Sequence, residues 1–140
     1  KGFGSITAIY TVLAENDDST DPIVDIARAS LDGQVILTRA LADAAHYPAI
    51  DLNGSISRVM QNIVDKKTHS SAARFRRLWS LYQQNEDLIK VGAYKPGANL
   101  ELDEAITLRE KMNQFLKQDI NKSVNLQDSI EKMKTIMGNK

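Results

Sequence analysis

Lys66-Lys67-Thr68-His69-Ser70-Ser71 divides this chain of 140 residues. The stretch is polar and charged, without one apolar side chain, and it reads as a linker between two unlike patterns. On its N-terminal side, Ser5-Ile6-Thr7-Ala8-Ile9-Tyr10-Thr11-Val12-Leu13 is rich in β-branched and aromatic residues and almost continuously apolar. That suits a strand buried on both faces, as in a parallel sheet. Asn16-Asp17-Asp18-Ser19-Thr20 reads as a loop. Asp21-Pro22 opens a short helix, with Asp21 as cap and Pro22 at the first helical position. Asp32-Gly33 is a turn, Val35-Ile36-Leu37 a short second strand, and Arg39-Ala40-Leu41-Ala42-Asp43-Ala44-Ala45 a strong helix former. Strand, helix, strand, helix is the end of an α/β sheet, too short to make a domain alone.

On the C-terminal side the period becomes helical throughout. Phe75, Leu78, Trp79, Tyr82, Leu88 and Ile89 share one face. Gly92-Ala93-Tyr94-Lys95-Pro96-Gly97 breaks that helix. Leu102, Ala105, Ile106, Met112, Phe115 and Leu116 form a second stripe. Asn125, with Asp128 three residues on, resembles a capping box and opens a third helix through Ile130, Met133, Ile136 and Met137. The expected organisation is an α/β part over residues 1–65 and an all-α part over 66–140.

Composition bounds the function. With 42% hydrophobic and 26% charged residues the chain suits a soluble globular fold. No apolar run approaches the ~20 residues of a membrane span, and the start resembles no signal peptide. It lacks Met and runs straight into structure, so it reads as a cut within a longer protein. Without cysteine there is neither a disulfide nor a thiolate metal site. Net charge is zero, but residues 1–64 carry eight acidic against four basic side chains, leaving −4 there and +4 in the remainder. The neutral whole speaks against general nucleic-acid binding, and the asymmetry suggests two surfaces with different partners.

Two motifs carry candidate chemistry. In His46-Tyr47-Pro48-Ala49-Ile50-Asp51 the proline pushes Tyr47 away from α conformation. Its ring is either a platform for a nucleobase or the filling of a gap between the two parts, the commoner fate of an aromatic. In Ser55-Ile56-Ser57-Arg58-Val59-Met60, Arg58 is either a trans-acting finger on a phosphoryl group or an ion-paired surface arginine. Lys66, Lys67, Arg74, Arg76 and Arg77 form a basic patch, read as the solvated face of the first long helix. His46 and His69 lack carboxylates at ligand spacing, so no metal site is expected. The phosphate loop G-x-x-x-x-G-K-[ST] does not occur in these residues.

In order and spacing, Gly4-Ser5-Ile6-Thr7-Ala8, Asp21-Pro22-Ile23, Leu31-Asp32-Gly33 and the Tyr47 and Arg58 motifs resemble the C-terminal part of the flagellum-specific and type III secretion ATPases. These are relatives of the rotary ATP synthase catalytic subunit. The resemblance continues through Asn85-Glu86-Asp87-Leu88-Ile89-Lys90-Val91-Gly92-Ala93-Tyr94 and Leu102-Asp103-Glu104-Ala105-Ile106, so it covers essentially the whole chain. It implies the end of a RecA-like nucleotide-binding domain followed by an all-α C-terminal domain. It further implies that Tyr47, with Pro48, packs against the adenine of ATP on its own subunit, and that Arg58 reaches the γ-phosphate in the neighbouring one. The phosphate loop, Mg2+-binding acid and catalytic glutamate of the family lie upstream of the resemblance, so the segment alone should neither bind ATP tightly nor hydrolyse it.

The family also implies a cytoplasmic homo-hexamer around a coiled-coil stalk, at the cytoplasmic face of the inner-membrane export apparatus. Its partners are a stator or regulator, an export gate, exported proteins and chaperones, with no nucleic acid. Tyr94 to Asp103 aligns with the stalk-facing loop. That loop is strongly acidic in the rotary enzymes and much less so here, which favours an export ATPase, and Val91-Gly92-Ala93-Tyr94 looks more flagellar than virulence-type. The alternative function is a helical docking module, residues 70–140, for a stalk, gate or chaperone partner.

Overall fold

The computed structural model describes residues 4–13 and 22–138. The chain divides into two compact units, residues 1–32 and 33–140. In the first, α1 spans Pro22–Ser30. Pro22 is its first residue, as read from the sequence, while the expected cap Asp21 and the loop 16–20 lie outside the described residues. Ser30 closes the helix by donating its hydroxyl to the Ile26 carbonyl at 2.9 Å.

The strand expected over Ser5–Leu13 is not found: residues 4–13 have no regular secondary structure, and Ile6, Ile9 and Leu13 are at least 90% exposed. A central parallel strand exists only through neighbours on both edges and layers on both faces. No described residue supplies them.

In the second unit, β1 (Gly33–Leu37) leads into α2 (Arg39–Asp43), which is capped by Thr38, whose hydroxyl accepts from the Leu41 amide. β2 (Ile50–Ser57) follows and pairs antiparallel with β1. In sequence, residues 50–57 show only the two motifs and no strand signal, and the expected parallel arrangement gives way here to an antiparallel pair. The register has a marked irregularity. Ile36 faces Asp51 and Gln34 faces Ile56, so one residue between partners on β1 is answered by four, Leu52 to Ser55, on β2. A bulge of this kind bends a strand out of its ladder and re-aims the residues beyond it. Gly54 is needed there: a Cβ would lie 2.8 Å from the Asp51 carboxylate and 3.1 Å from Ile36.

α3 (Met60–Ile63) connects to three long helices: α4 (Lys66–Lys90), α5 (Leu100–Leu116) and α6 (Leu126–Ile136). The supposed linker 66–71 is the first part of α4. Asp65 explains why, since its carboxylate accepts from the Thr68 amide at 2.9 Å and from the Thr68 hydroxyl. Those bonds hold the Asp65 carboxyl down at about 2. Thr68 and Ser71 are buried, with Ser71 donating to the Lys67 carbonyl. Polar residues that read as a linker are thus the capped start of a helix, with Thr68 and Ser71 turned inward.

α4 packs on both α5 and α6 around Phe75, Leu78, Trp79, Leu102, Ala105, Met112 and Met137. The Phe75 and Phe115 rings meet in a tilted pair with centroids 5.3 Å apart. The three helical stripes thus face one another as their spacing predicts, except that Leu88 is half exposed. Gly92, at φ 71°, ends α4 in the left-handed conformation an L side chain resists. Asn99 caps α5 by accepting from the Glu101 and Leu102 amides, and Asn125 caps α6 by accepting from Asp128.

The basic patch is exposed at Lys66, Lys67, Arg74 and Arg77, as read from the sequence, and partly buried at Arg76, and its arginines are engaged by neighbouring elements. Arg74 bonds Glu104 and the Met137 carbonyl, Arg77 bonds Glu101, and Arg76 reaches back to β2. These arginines therefore tie α4 to α5, α6 and the strand pair.

Candidate functional site

Both motif residues flank β2. On its N-terminal side the chain leaves α2 through Ala45 at φ 51° and enters the Tyr47–Pro48 bond in cis. His46 is buried, at 6% exposure, and its amide donates to the Leu41 carbonyl at 2.9 Å. Burial, then the charges of Lys117 and Arg109, lowers the His46 pKa below its ordinary value. Next to it the Tyr47 ring is 57% exposed. At that exposure it does not fill a gap between strands and helices. The Tyr47 carbonyl accepts from the Gln118 amide at 2.9 Å, so residues just beyond α5 hold this loop from behind.

Behind the loop, the Arg109 guanidinium lies over Trp79 at 4.4 Å and over Tyr82 at 4.7 Å from the ring centroids. Its Nε is buried without a hydrogen-bond partner. Two ring faces supply the stabilisation that a buried cation otherwise takes from water. Neither Arg109 nor Gln118 stands out in the sequence. Arg109 reads there as an ordinary helical charge, and Gln118 acts through its backbone, which carries no sequence signal.

On the C-terminal side of β2, Arg58 is exposed at a bend before α3. With Ser57, Met60, Gln61, His69, Ala72, Ala73 and Arg76 it lines an open groove of about 340 Å³. Ser55, which flanks Arg58 in sequence, has a structural task instead. Its hydroxyl donates to the Asp51 carbonyl at 2.6 Å and accepts from the Ile36 amide at 2.9 Å. Pairing of Leu37 with Ile50 and Gly33 with Ser57 puts the ends of β2 as far apart as those of five-residue β1, about 13 Å at the usual strand rise. The structure thus presents Tyr47 and Arg58 at opposite ends of the pair, not at one point.

Farther off, the loop after α4 is organised by Asp103. Its carboxylate accepts from the Tyr94 hydroxyl at 2.8 Å and from the Gly97 amide at 2.8 Å, while Tyr94 also donates to the Asn99 carbonyl. Burial and the Asp103 bond raise the Tyr94 pKa. Among the described residues no cluster of His, Asp or Glu has metal-binding geometry, and no helix is long and apolar enough to cross a membrane.

A strand pair with an exposed ring at one end and an arginine at the other, joined to a self-contained helical core, is the end of an α/β nucleotide-binding domain followed by an all-α domain. Residues 1–57 match the nucleotide-binding domain of the ATP synthase alpha/beta family, and residues 64–135 match the T3SS EscN ATPase C-terminal domain. The flagellum-specific ATP synthase of Pseudomonas aeruginosa is 50% identical over 136 residues, covering 97% of this chain and 30% of that protein. The assembled ATPase EscN of the enteropathogenic E. coli type III secretion system superposes with a TM-score of 0.91 at 41% identity, over 95% of this chain and 32% of that one. EscN in complex with its central stalk EscO gives 0.78 at 37% identity, over 83% of this chain and 29% of that one. The chain belongs to the family of flagellar and type III secretion ATPases. It spans about a third of the length of these relatives.

Proposed function

We propose that this segment serves an export ATPase in which ATP hydrolysis in a hexameric ring drives transfer of unfolded flagellar or secreted proteins. In this reading Tyr47, stiffened by Pro48, packs on the adenine of its own subunit's ATP. Arg58 reaches the γ-phosphate bound by the next subunit, where a fixed guanidinium stabilises charge on the phosphoryl group in transit. ATP and Mg2+ are held by the phosphate loop and acids of the rest of the parent protein. This segment has no phosphate loop and turns over nothing alone. The domain division is drawn at 65/66, supported by the Asp65 cap and by the two family matches, one ending at residue 57 and the other beginning at residue 64, just before it.

The observation that carries the reading is the presentation of an exposed tyrosine and an exposed arginine at opposite ends of one strand pair. That the two serve different nucleotides follows the family resemblance, since one extended ATP is about as long as their separation. In the full-length protein, Arg58→Ala should lower kcat by about 10³–10⁵ with ATP affinity kept. Mixed with a phosphate-loop variant, it should regain activity in co-assembled rings. Mixed rings that stay dead would make Arg58 a residue of its own subunit.

A second role is supported by the ordered loop from Tyr94 to Asp103. Val91, before it, is 76% exposed and Leu100, within it, 81% exposed, apolar side chains that suit a coiled-coil stalk of the kind EscO provides for EscN. Export gate, regulator and chaperones, at the cytoplasmic face of the membrane, complete the proposed setting. Charge reversal of that loop should weaken stalk binding and spare basal hydrolysis.

A further inference from the structure

The bulge of β2 stands between the strand ladder and Arg58, and the way its backbone is satisfied has a consequence for that arginine. Residues 52–55 have no ladder partners on β1. Three of their carbonyls are taken up by side chains: Asn53 O accepts from Arg76 Nη2 at 3.4 Å, Gly54 O from Gln34 Nε2 at 3.1 Å, and Ser55 O from Arg76 Nη2 at 2.8 Å. From within, the Asp51 carboxylate accepts the Asn53 amide at 3.0 Å, and Ser55 bridges Asp51 to β1. Asn53 also donates its side-chain amide to Gln83, about two turns along α4 from Arg76. One face of α4 thus grips the bulge at two points. Of the two, Arg76 alone reaches backbone, and it straddles the bulge with one nitrogen.

Arg58 lies three residues beyond this bulge and shares its groove with Arg76. A finger must meet the phosphoryl group within a fraction of an ångström to stabilise charge in the transition state, and a 1 Å misplacement can cost about 10²-fold. We propose that Arg76 is the positioning residue for Arg58: by fastening the bulge at Asn53 and Ser55 to α4, it sets the angle at which the strand delivers the finger to the neighbouring subunit. The inference rests on the reading of Arg58 as that finger. It makes the helical domain part of the catalytic geometry, since a shift of α4 moves the finger through Arg76.

The test uses full-length hexamers carrying Arg76→Met, which keeps the apolar stem and removes the donors, and Arg76→Lys, which keeps the charge but ends one bond short of the nitrogen that holds Asn53 and Ser55. Ring assembly and thermal midpoint are checked for each, and Arg76→Lys stands in should Arg76→Met fail to assemble. The expected result is a fall in kcat of about 10²-fold with unchanged KM for ATP. In an Arg58→Ala background the same substitution should cost nothing further. Amide exchange over 51–58 should rise in the Arg76 variants and not in Arg58→Ala. Full activity of the assembled Arg76 variants, a change confined to KM, or a loss that multiplies with that of Arg58→Ala would overturn the positioning role. Full activity of Arg58→Ala itself would instead overturn the finger reading beneath it.

Discussion

The strand pair and the helical region are built on opposite terms. Among the described residues, every buried hydrophobic side chain lies on α4, on α5 or at the end of α6, whereas β1 and β2 expose Val35, Leu37 and Ile56 by about half or more. The helices satisfy themselves: each long one has a side-chain cap, each stripe meets another, and their arginines pair across the bundle. The strand pair is instead held by Leu52, which packs against the helical core, and by specific polar contacts to α4 and to the segment after α5. A core tolerates change at its surface and little inside, while a surface held by a few directed bonds keeps apolar faces available for other elements. The proposed functional residues, Tyr47 and Arg58, both belong to the second kind of structure.

Removal of core volume should separate the two regions most sharply. Leu78→Ala, at a position 1% exposed, should destabilise the chain by about 2–5 kcal/mol. Val35→Ala, at a position 68% exposed, should stay within about 0.5 kcal/mol. Urea unfolding followed by the fluorescence of Trp79, the single tryptophan, reads both. Equal losses would mean that the strand pair has a core of its own.

Tyr47→Ala in the full-length protein should weaken nucleotide binding by about 1–3 kcal/mol, the value of one stacked base, with kcat affected less. Tyr47→Phe should be nearly silent in equilibrium binding of a fluorescent ATP analogue. A Phe variant as weak as the Ala variant would assign the hydroxyl, and not the ring, to the site.

Loss of the α5 cap in Asn99→Ala should cost about 0.5–2 kcal/mol in the same unfolding experiment, because two amides lose their acceptor. A neutral result would show that packing alone holds the start of that helix.

The smallest effect expected is a pH dependence at the seam between the regions. The His46 pKa is lowered from 6.5 in the folded chain, so the unfolded state binds the proton more readily. The contribution of neutral His46 is complete above pH 6.5 and is lost as pH falls through the depressed value. His46→Gln should flatten that acid limb of stability against pH. An unchanged slope in the variant would move the origin of the limb elsewhere.

Much of this is legible in the chain. The spacing of Phe75, Leu78, Leu102, Ala105 and Met112, the glycine break after α4 and the Asn125 cap are local signals, and a helix of three or more turns obeys them wherever it packs. The α/β character of residues 1–65 is legible too, but not its pairing. Ser5–Leu13 has strand composition without a ladder, and β2 hides inside a motif because a bulge destroys the alternation that marks a strand. Residues 66–71 mislead for a different reason. Buried Thr68 and Ser71 face inward by bonding the backbone and Asp65, and polarity alone says nothing of such bonds.

By itself the sequence determined the helices, their apolar faces, the break between them, the family and the two residues worth testing, because each of these is written in short-range period or in motif identity. The tertiary structure alone decided that Tyr47 is open to solvent, that Arg109 lies between two aromatic rings, that Gln118 backs the tyrosine loop and that Arg76 fastens the strand before Arg58. Those contacts join residues far apart in the chain, often through backbone atoms that every residue shares. No local pattern encodes such a pair, and only the packing of α4 and α5 against the strands brings it within the reach of a hydrogen bond.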